Sequence, residues 1–232
     1  MLSEMLSSSA QIFLNSLESF QGMVSKYGFQ VRTHSEKSLQ RFLGLEKHTQ
    51  AEIIKGFTSY LSFLTKFQMD GLDLREDSLL LKTFLQQMGF IYDKGLSDQI
   101  SPGDVIEVYT ADQIQIFRNL VFMDLCNYTL LDLLTHDPYE LYERSDLIKK
   151  ELNQAVTTLS GRPMNTEPLD MSHIPKHILR EKFSDQRLSS MVEFKCLSPL
   201  YTWPPKELAG FVAIQRGHNI LEQGTSNELC FL

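Results

Sequence analysis

The feature that most constrains this chain is a change in hydrophobic period near residue 100. Before it, apolar residues recur every third or fourth position, as on one face of a helix. After it, short stretches alternate as strands do. The first stripe is Leu2, Met5, Leu6, Phe13, Leu17, Phe20, Val24 and Tyr27, with Gly28 as its stop. A short helix is expected over residues 35–45, carrying Leu39, Phe42, Leu43 and Leu45. A third begins near Thr49, three residues before Glu52 as in a capping box. It carries Ile53, Ile54, Phe57, Tyr60, Leu61, Leu64 and Phe67 and ends at Asp70-Gly71. A fourth spans 75–88, with Leu80, Leu81, Phe84, Leu85 and Met88 on one side. No heptad is sustained, so these helices are expected to pack as a bundle, or on whatever follows, rather than as a free coiled coil.

Residues 93–103 read as a loop and as the boundary. Val105–Tyr109 and Ile114–Phe117 then form a hairpin around residues 110–113. Asn119 opens a helical stretch that breaks at Asn127-Tyr128-Thr129. Pro138 starts a short turn of helix, and Ser145-Asp146 caps a longer helix running to Leu159. Residues 161–176 are irregular, and 177–183 fit either helix or strand. Met191–Leu197 is the clearest strand, residues 201–206 a Trp- and Pro-containing loop, and Leu208–Ile214 the last strand. The fold class is therefore α+β. A helical bundle or dimerisation region occupies 1–95, a sheet unit 104–216 and a polar tail 217–232.

Composition narrows the function. The 232 residues carry a net charge of −7, a poor match to a polyphosphate backbone, so nucleic acid is not an expected partner. Cys126, Cys196 and Cys230 are odd in number and far apart, which fits reduced thiols in a cytoplasmic protein. No apolar run reaches the ~18 residues of a membrane span, and the start, with Glu4 and no early basic residue, lacks a signal-peptide pattern. No phosphate-binding Gly loop, nucleophile elbow or zinc-protease motif is present. His173 and His177 are four apart, but Pro175 interrupts them. The acidic group Asp70, Asp73, Glu76 and Asp77 lacks the order of a calcium loop and reads as a solvated helix start. A locally basic stretch includes Arg144, Lys149, Lys150, Arg162, Lys176, Arg180, Lys182 and Arg187. It can serve an anion, but interspersed acids favour a mixed solvated surface.

The order of elements from 104 to 216 resembles that of PAS sensory domains. The opening residues of the match are Val105–Tyr109, Asp112-Gln113, Ile116–Asn119, Phe122 and Asn127–Leu134. The closing residues are Phe194–Leu200 and Leu208–Ile214. Asn127 replaces the usual Gly before Tyr128, residues 161–176 look like an insertion, and the Asp-Ile-Thr that often follows the last strand is absent. The resemblance implies a five-stranded antiparallel sheet flanked by short helices, and a signal-transduction protein without catalysis. It would sense a small-molecule ligand or bind a protein signalling partner, with a homodimer expected through the N-terminal helices.

A ligand pocket between sheet and helices would be lined by Phe117, Phe122, Leu133, Tyr142, Leu152, Phe194 and Phe211, each of which can equally be plain core. The cofactor stays unknown. The long helix has no His for a haem, and Tyr142–Ser145 has no Cys for a flavin adduct. No metal site is expected. The alternative is a ligand-free structural adaptor acting by protein–protein contact.

Overall fold

The computed structural model describes residues 8–112, 114–161, 167–184, 188–202 and 207–220. Leu2, Met5, Leu6, Trp203, Cys230 and the tail beyond 220 lie outside them. Helix α1 (Ser8–Ser25) buries Phe13, Leu17, Phe20 and Val24, and Gly28 turns the chain away with a φ of 92°. Ser35 caps α2 (Glu36–Gly44): its hydroxyl accepts from Ser38 N at 3.1 Å, and Ser38 Oγ accepts from Ser35 N at 2.8 Å.

The expected cap at Thr49 is displaced. Helix α3 (Lys47–Met69) begins after Glu46, which makes no side-chain cap. The buried Gln50 instead donates to the carbonyls of Leu45 at 2.8 Å and Leu43 at 3.3 Å, tying the α2–α3 turn together. Satisfying those two carbonyls, which α2 leaves open, sets the entry of α3. Helix α4 (Asp77–Gln87) closes the helical region. The loop expected at 93–103 contains a 3₁₀ turn, Lys94–Gln99, begun by Asp93 accepting from Gly95 N at 2.8 Å.

The rest is a curled antiparallel sheet with helices in its long connection. Its strands are β1 (Asp104–Thr110), β2 (Gln115–Arg118), β3 (Tyr142–Glu143), β4 (Leu169–Asp170), β5 (His177–Glu181), β6 (Ser189–Tyr201) and β7 (Leu208–Ile220). Their spatial order is β2-β1-β7-β6-β5-β3, with β4 also paired to β6. Between β2 and β3 come a 3₁₀ turn (Leu120–Leu125), α5 (Leu130–Thr135) and α6 (Pro138–Leu141). Helix α7 (Asp146–Ser160) follows β3. Thr129 caps α5 and Ser145 caps α7.

Among the described residues the sheet has seven strands, not five. The two additional ones, β3 and β4, are two-residue pairings too short to leave a periodic pattern. The ambiguous segment 177–183 is a strand, and β7 runs through Gly217 to Ile220, beyond the point where the polar tail was expected to begin. Its extension pairs with Ser189–Val192 of β6, so backbone pairing holds a stretch that its side chains do not announce.

The two faces of the sheet meet different neighbours. Ile106 and Val108 of β1, Phe117 of β2 and Val212 and Ile214 of β7 join the N-terminal helices in one continuous apolar cluster. Phe117 lies edge-on to Tyr60 of α3, with centroids 5.9 Å apart, and against Phe84 of α4 at 4.7 Å. Tyr109 of β1 and Phe211 and Ala213 of β7 point the other way, into a second cluster with α7. A bulge at Lys195 frees that side chain to reach the sheet's end, where Nζ meets the fully buried Asp104 at 2.6 Å; Arg216 reaches the same carboxylate at 2.8 Å.

Candidate functional site

On the inner face of the sheet, beside α7 and the 3₁₀ turn, lie two adjacent, partly open lobes that share four lining residues. Val105, Glu107 and Tyr109 share that face because successive strand residues alternate. Gln215 and Gly217 of β7 lie alongside. One lobe, about 40 Å³, lies under Phe122, Leu125, Leu141 and Tyr142. The other, about 80 Å³, is apolar, formed by Leu152 and Val156 of α7 over Met171, Phe194, Leu197, Phe211 and Ala213. Glu107, Tyr109, Arg144 and Gln215 border both lobes and make a polar waist.

Glu107 is buried. One carboxylate oxygen accepts from Gln115 Nε2, and the other from Gln215 Nε2 at 2.7 Å. The Tyr109 hydroxyl also bonds it. Gln115 in turn accepts from the Arg118 guanidinium, which lies 4.6 Å from the Phe122 ring. Burial pushes the Glu107 carboxyl above the usual range, and Arg118, Tyr109 and Arg144 pull it back. Arg144 leaves β3 toward α7, with its guanidinium 5.5 Å from the Tyr142 ring. Burial raises the Cys196 thiol to about 11, so at neutral pH this lining residue is an uncharged small hydrophobe. The Cys126 thiol is raised to about 12 in the same way.

The waist reaches the helical region through the end of β2. The Arg118 carbonyl accepts from the buried Tyr60 hydroxyl of α3 at 2.5 Å. The next residue, Asn119, donates from Nδ2 to Asp77 at the start of α4 at 2.9 Å and to the Asp104 carbonyl at 2.8 Å. Its Oδ1 accepts from Ile106 N at 3.0 Å. Asp77 is thus not the solvated residue expected of a helix start: burial raises its carboxyl to about 6. Asp73, by contrast, is an exposed partner of Arg75.

Of the pocket residues expected from sequence, Phe122, Tyr142, Leu152, Phe194 and Phe211 line the cavity. Two do not. Phe117 faces the opposite side, between Tyr60 and Phe84, and Leu133 is buried in the cluster shared with the N-terminal helices. The basic stretch also divides. Lys149 pairs with Asp146, Lys176 with Glu193, and Arg180 is exposed; Arg144 alone of these four faces the cavity. His173 lies 3.7 Å from Glu151, and His177 stacks on Phe194. Among the described residues no group of three or more His, Cys, Asp or Glu is placed to hold a metal ion. None of the described helices is long and apolar enough to cross a membrane.

Sequence reasoning missed the polar waist. The available signal was Glu107 in an otherwise apolar strand, sharing a face with Val105 and Tyr109. Compared with protein-family models and with curated proteins, the chain finds no match.

Proposed function

We propose that this is a cytoplasmic signal-transduction protein that senses a small ligand through a PAS-like unit, without catalysis. The observation that carries the reading is the cavity: apolar lobes around a buried Glu107–Gln115–Arg118 network on the inner face of a curled sheet. Ligand sites have this composition, mostly apolar with a few convergent polar groups. The strand order β2-β1-β7-β6-β5, with the helices in one long connection after β2, supports the PAS-like description.

The mechanism is a shift in population between two packings of sheet against helices. A ligand that reorders Gln115 or Arg118 acts on β2, and β2 is bonded to α3 through Tyr60 and to α4 through Asn119. The helical region is then the output, toward a protein partner or a second copy of the chain. Native mass spectrometry of freshly purified protein, beside its denatured mass, tests the reading. A discrete excess mass lost on denaturation is expected. Bare protein, with no small molecule from a metabolite extract retained or stabilising it, would leave the ligand-free adaptor as the better description.

A further inference from the structure

The charged groups around the two lobes already answer one another. Glu107 accepts from Gln115 and Gln215, and the guanidiniums of Arg118 and Arg144 both act on it. A second buried carboxylate, Glu181, acts together with Glu107 on Tyr142 and Cys126. It accepts from Asn127 N at 2.5 Å and Leu188 N at 3.1 Å, and Arg32 acts on it. Each carboxylate thus has its own hydrogen-bond donors and an opposite charge. An ionic ligand would give up its hydration and then either stay unpaired or break one of these pairings, and both are costly.

What the larger lobe offers instead is apolar surface and one acceptor. Leu152 and Val156 of α7 and Phe194, Phe211 and Ala213 of the sheet line it. Gln215, which borders both lobes, donates from Nε2 to Glu107 at 2.7 Å. That bond orients the amide, and its Oε1 is then an acceptor at the waist. We propose that the larger lobe takes a small uncharged alcohol or phenol, its hydroxyl donating to Gln215 Oε1 and its apolar part lying beside Leu152 and Val156. The inference rests on the ligand-sensing reading and gives it a chemical class. Size sets the limit on the apolar part. A cavity of about 150 Å³ accommodates benzene, and this lobe has about 80 Å³, so a ring requires modest side-chain shifts and a long chain does not fit.

The test titrates the full chain, followed by nuclear magnetic resonance, with four probes built on one ring: benzyl alcohol, toluene, benzoate and benzylamine. Benzyl alcohol is expected to bind about fivefold tighter than toluene, the worth of one hydrogen bond. It should bind at least about tenfold tighter than benzoate or benzylamine. Gln215→Met removes the acceptor at similar size, so the preference for benzyl alcohol over toluene should vanish while toluene still binds. Ala213→Leu fills the lobe from β7 and should weaken benzyl alcohol at least about tenfold with the urea midpoint kept, whereas enlarging a side chain in a filled core would lower it. Should Ala213→Leu fail to fold, Leu152→Phe fills the lobe from α7 and should weaken binding in the same way.

Benzoate or benzylamine binding as tightly as benzyl alcohol overturns the uncharged class and leaves ligand sensing intact. Toluene binding as tightly, or a preference that survives Gln215→Met, overturns the hydroxyl bond to Gln215. Benzyl alcohol affinity unaffected by filling the lobe overturns the proposal, as does no binding of any probe at millimolar concentration. Retained mass in the native spectrum decides separately whether the protein senses a ligand at all.

Discussion

The two faces of β1 do different work with the same backbone. Ile106 and Val108 face the N-terminal helices and join a continuous cluster with Phe117, Phe84 and Tyr60. Val105, Glu107 and Tyr109 face the cavity. The first face is filled, so it fixes the relative position of sheet and helices. The second leaves space and tolerates buried charge, which costs stability and which a closed apolar core would not include. That difference between the faces is what the proposed ligand-sensing role rests on.

Truncating one side chain on each face sharpens that contrast, and gives the largest expected effect. Phe117→Ala should cost about 3–5 kcal/mol, because a fully buried ring between two others leaves a void its neighbours cannot fill. Leu152→Ala, at a partly buried position on a cavity that already exists, should cost only about 1–2 kcal/mol. Urea denaturation followed by circular dichroism measures both. Equal losses would remove the distinction between a filled face and one that leaves space. Because the helical cluster runs on into the sheet, Phe117→Ala should also lower the unfolding midpoint of helix and strand signals together.

A smaller effect is expected where the faces communicate. Tyr60→Phe removes the hydroxyl that donates to the Arg118 carbonyl and nothing else. The loss should be on the order of 1 kcal/mol, the usual net worth of one hydrogen bond. The informative readout is in ligand response: nuclear magnetic resonance shifts induced in α3 by a bound probe should shrink, while shifts in β1 and β7 persist. Unchanged α3 shifts would mean that β2 does not carry the signal to that helix.

The helices were legible because each buries a single stripe, and because Ser35 and Ser145 mark the starts of α2 and α7 by their chemistry. The hairpin and the cores of β6 and β7 were legible from alternation. Three things were not. Two-residue strands such as β3 and β4 exist only through long-range pairing. The last turnless stretch of β7 is polar and is held by β6 rather than by its own burial pattern. The direction of Phe117 was also hidden: alternation says that Phe117 and Ile116 point to opposite faces, but both faces of this sheet are covered, so polarity does not say which residue faces the helices. The same double coverage explains the polar waist. Glu107 is buried on a face that also meets a lobe lined by Leu152 and Val156 of α7, residues distant from it in sequence.

The last predicted effect concerns Asp77, where the helical region meets the sheet, and it depends on pH. Burial raises its carboxyl to about 6, and the charge of Asp104 adds to the rise, while the Asn119 amide opposes it. The folded chain thus holds this proton more tightly than the unfolded chain does. Its contribution to stability is complete below the unfolded value of 3.8 and is lost as pH rises through about 6. Asp77→Asn keeps an oxygen to accept from Asn119 and removes the charge. The variant should therefore match the parent near pH 4 and be the more stable of the two near pH 7.5, by an amount that grows across the interval. Other raised carboxyls, Glu107 among them, act in the same direction in both proteins, so the difference between parent and variant isolates Asp77. Urea midpoints for the pair at several pH values measure it. A difference that stays constant with pH would mean that Asp77 titrates as an exposed carboxyl, and that α4 meets the sheet less closely than the Asn119 bond indicates.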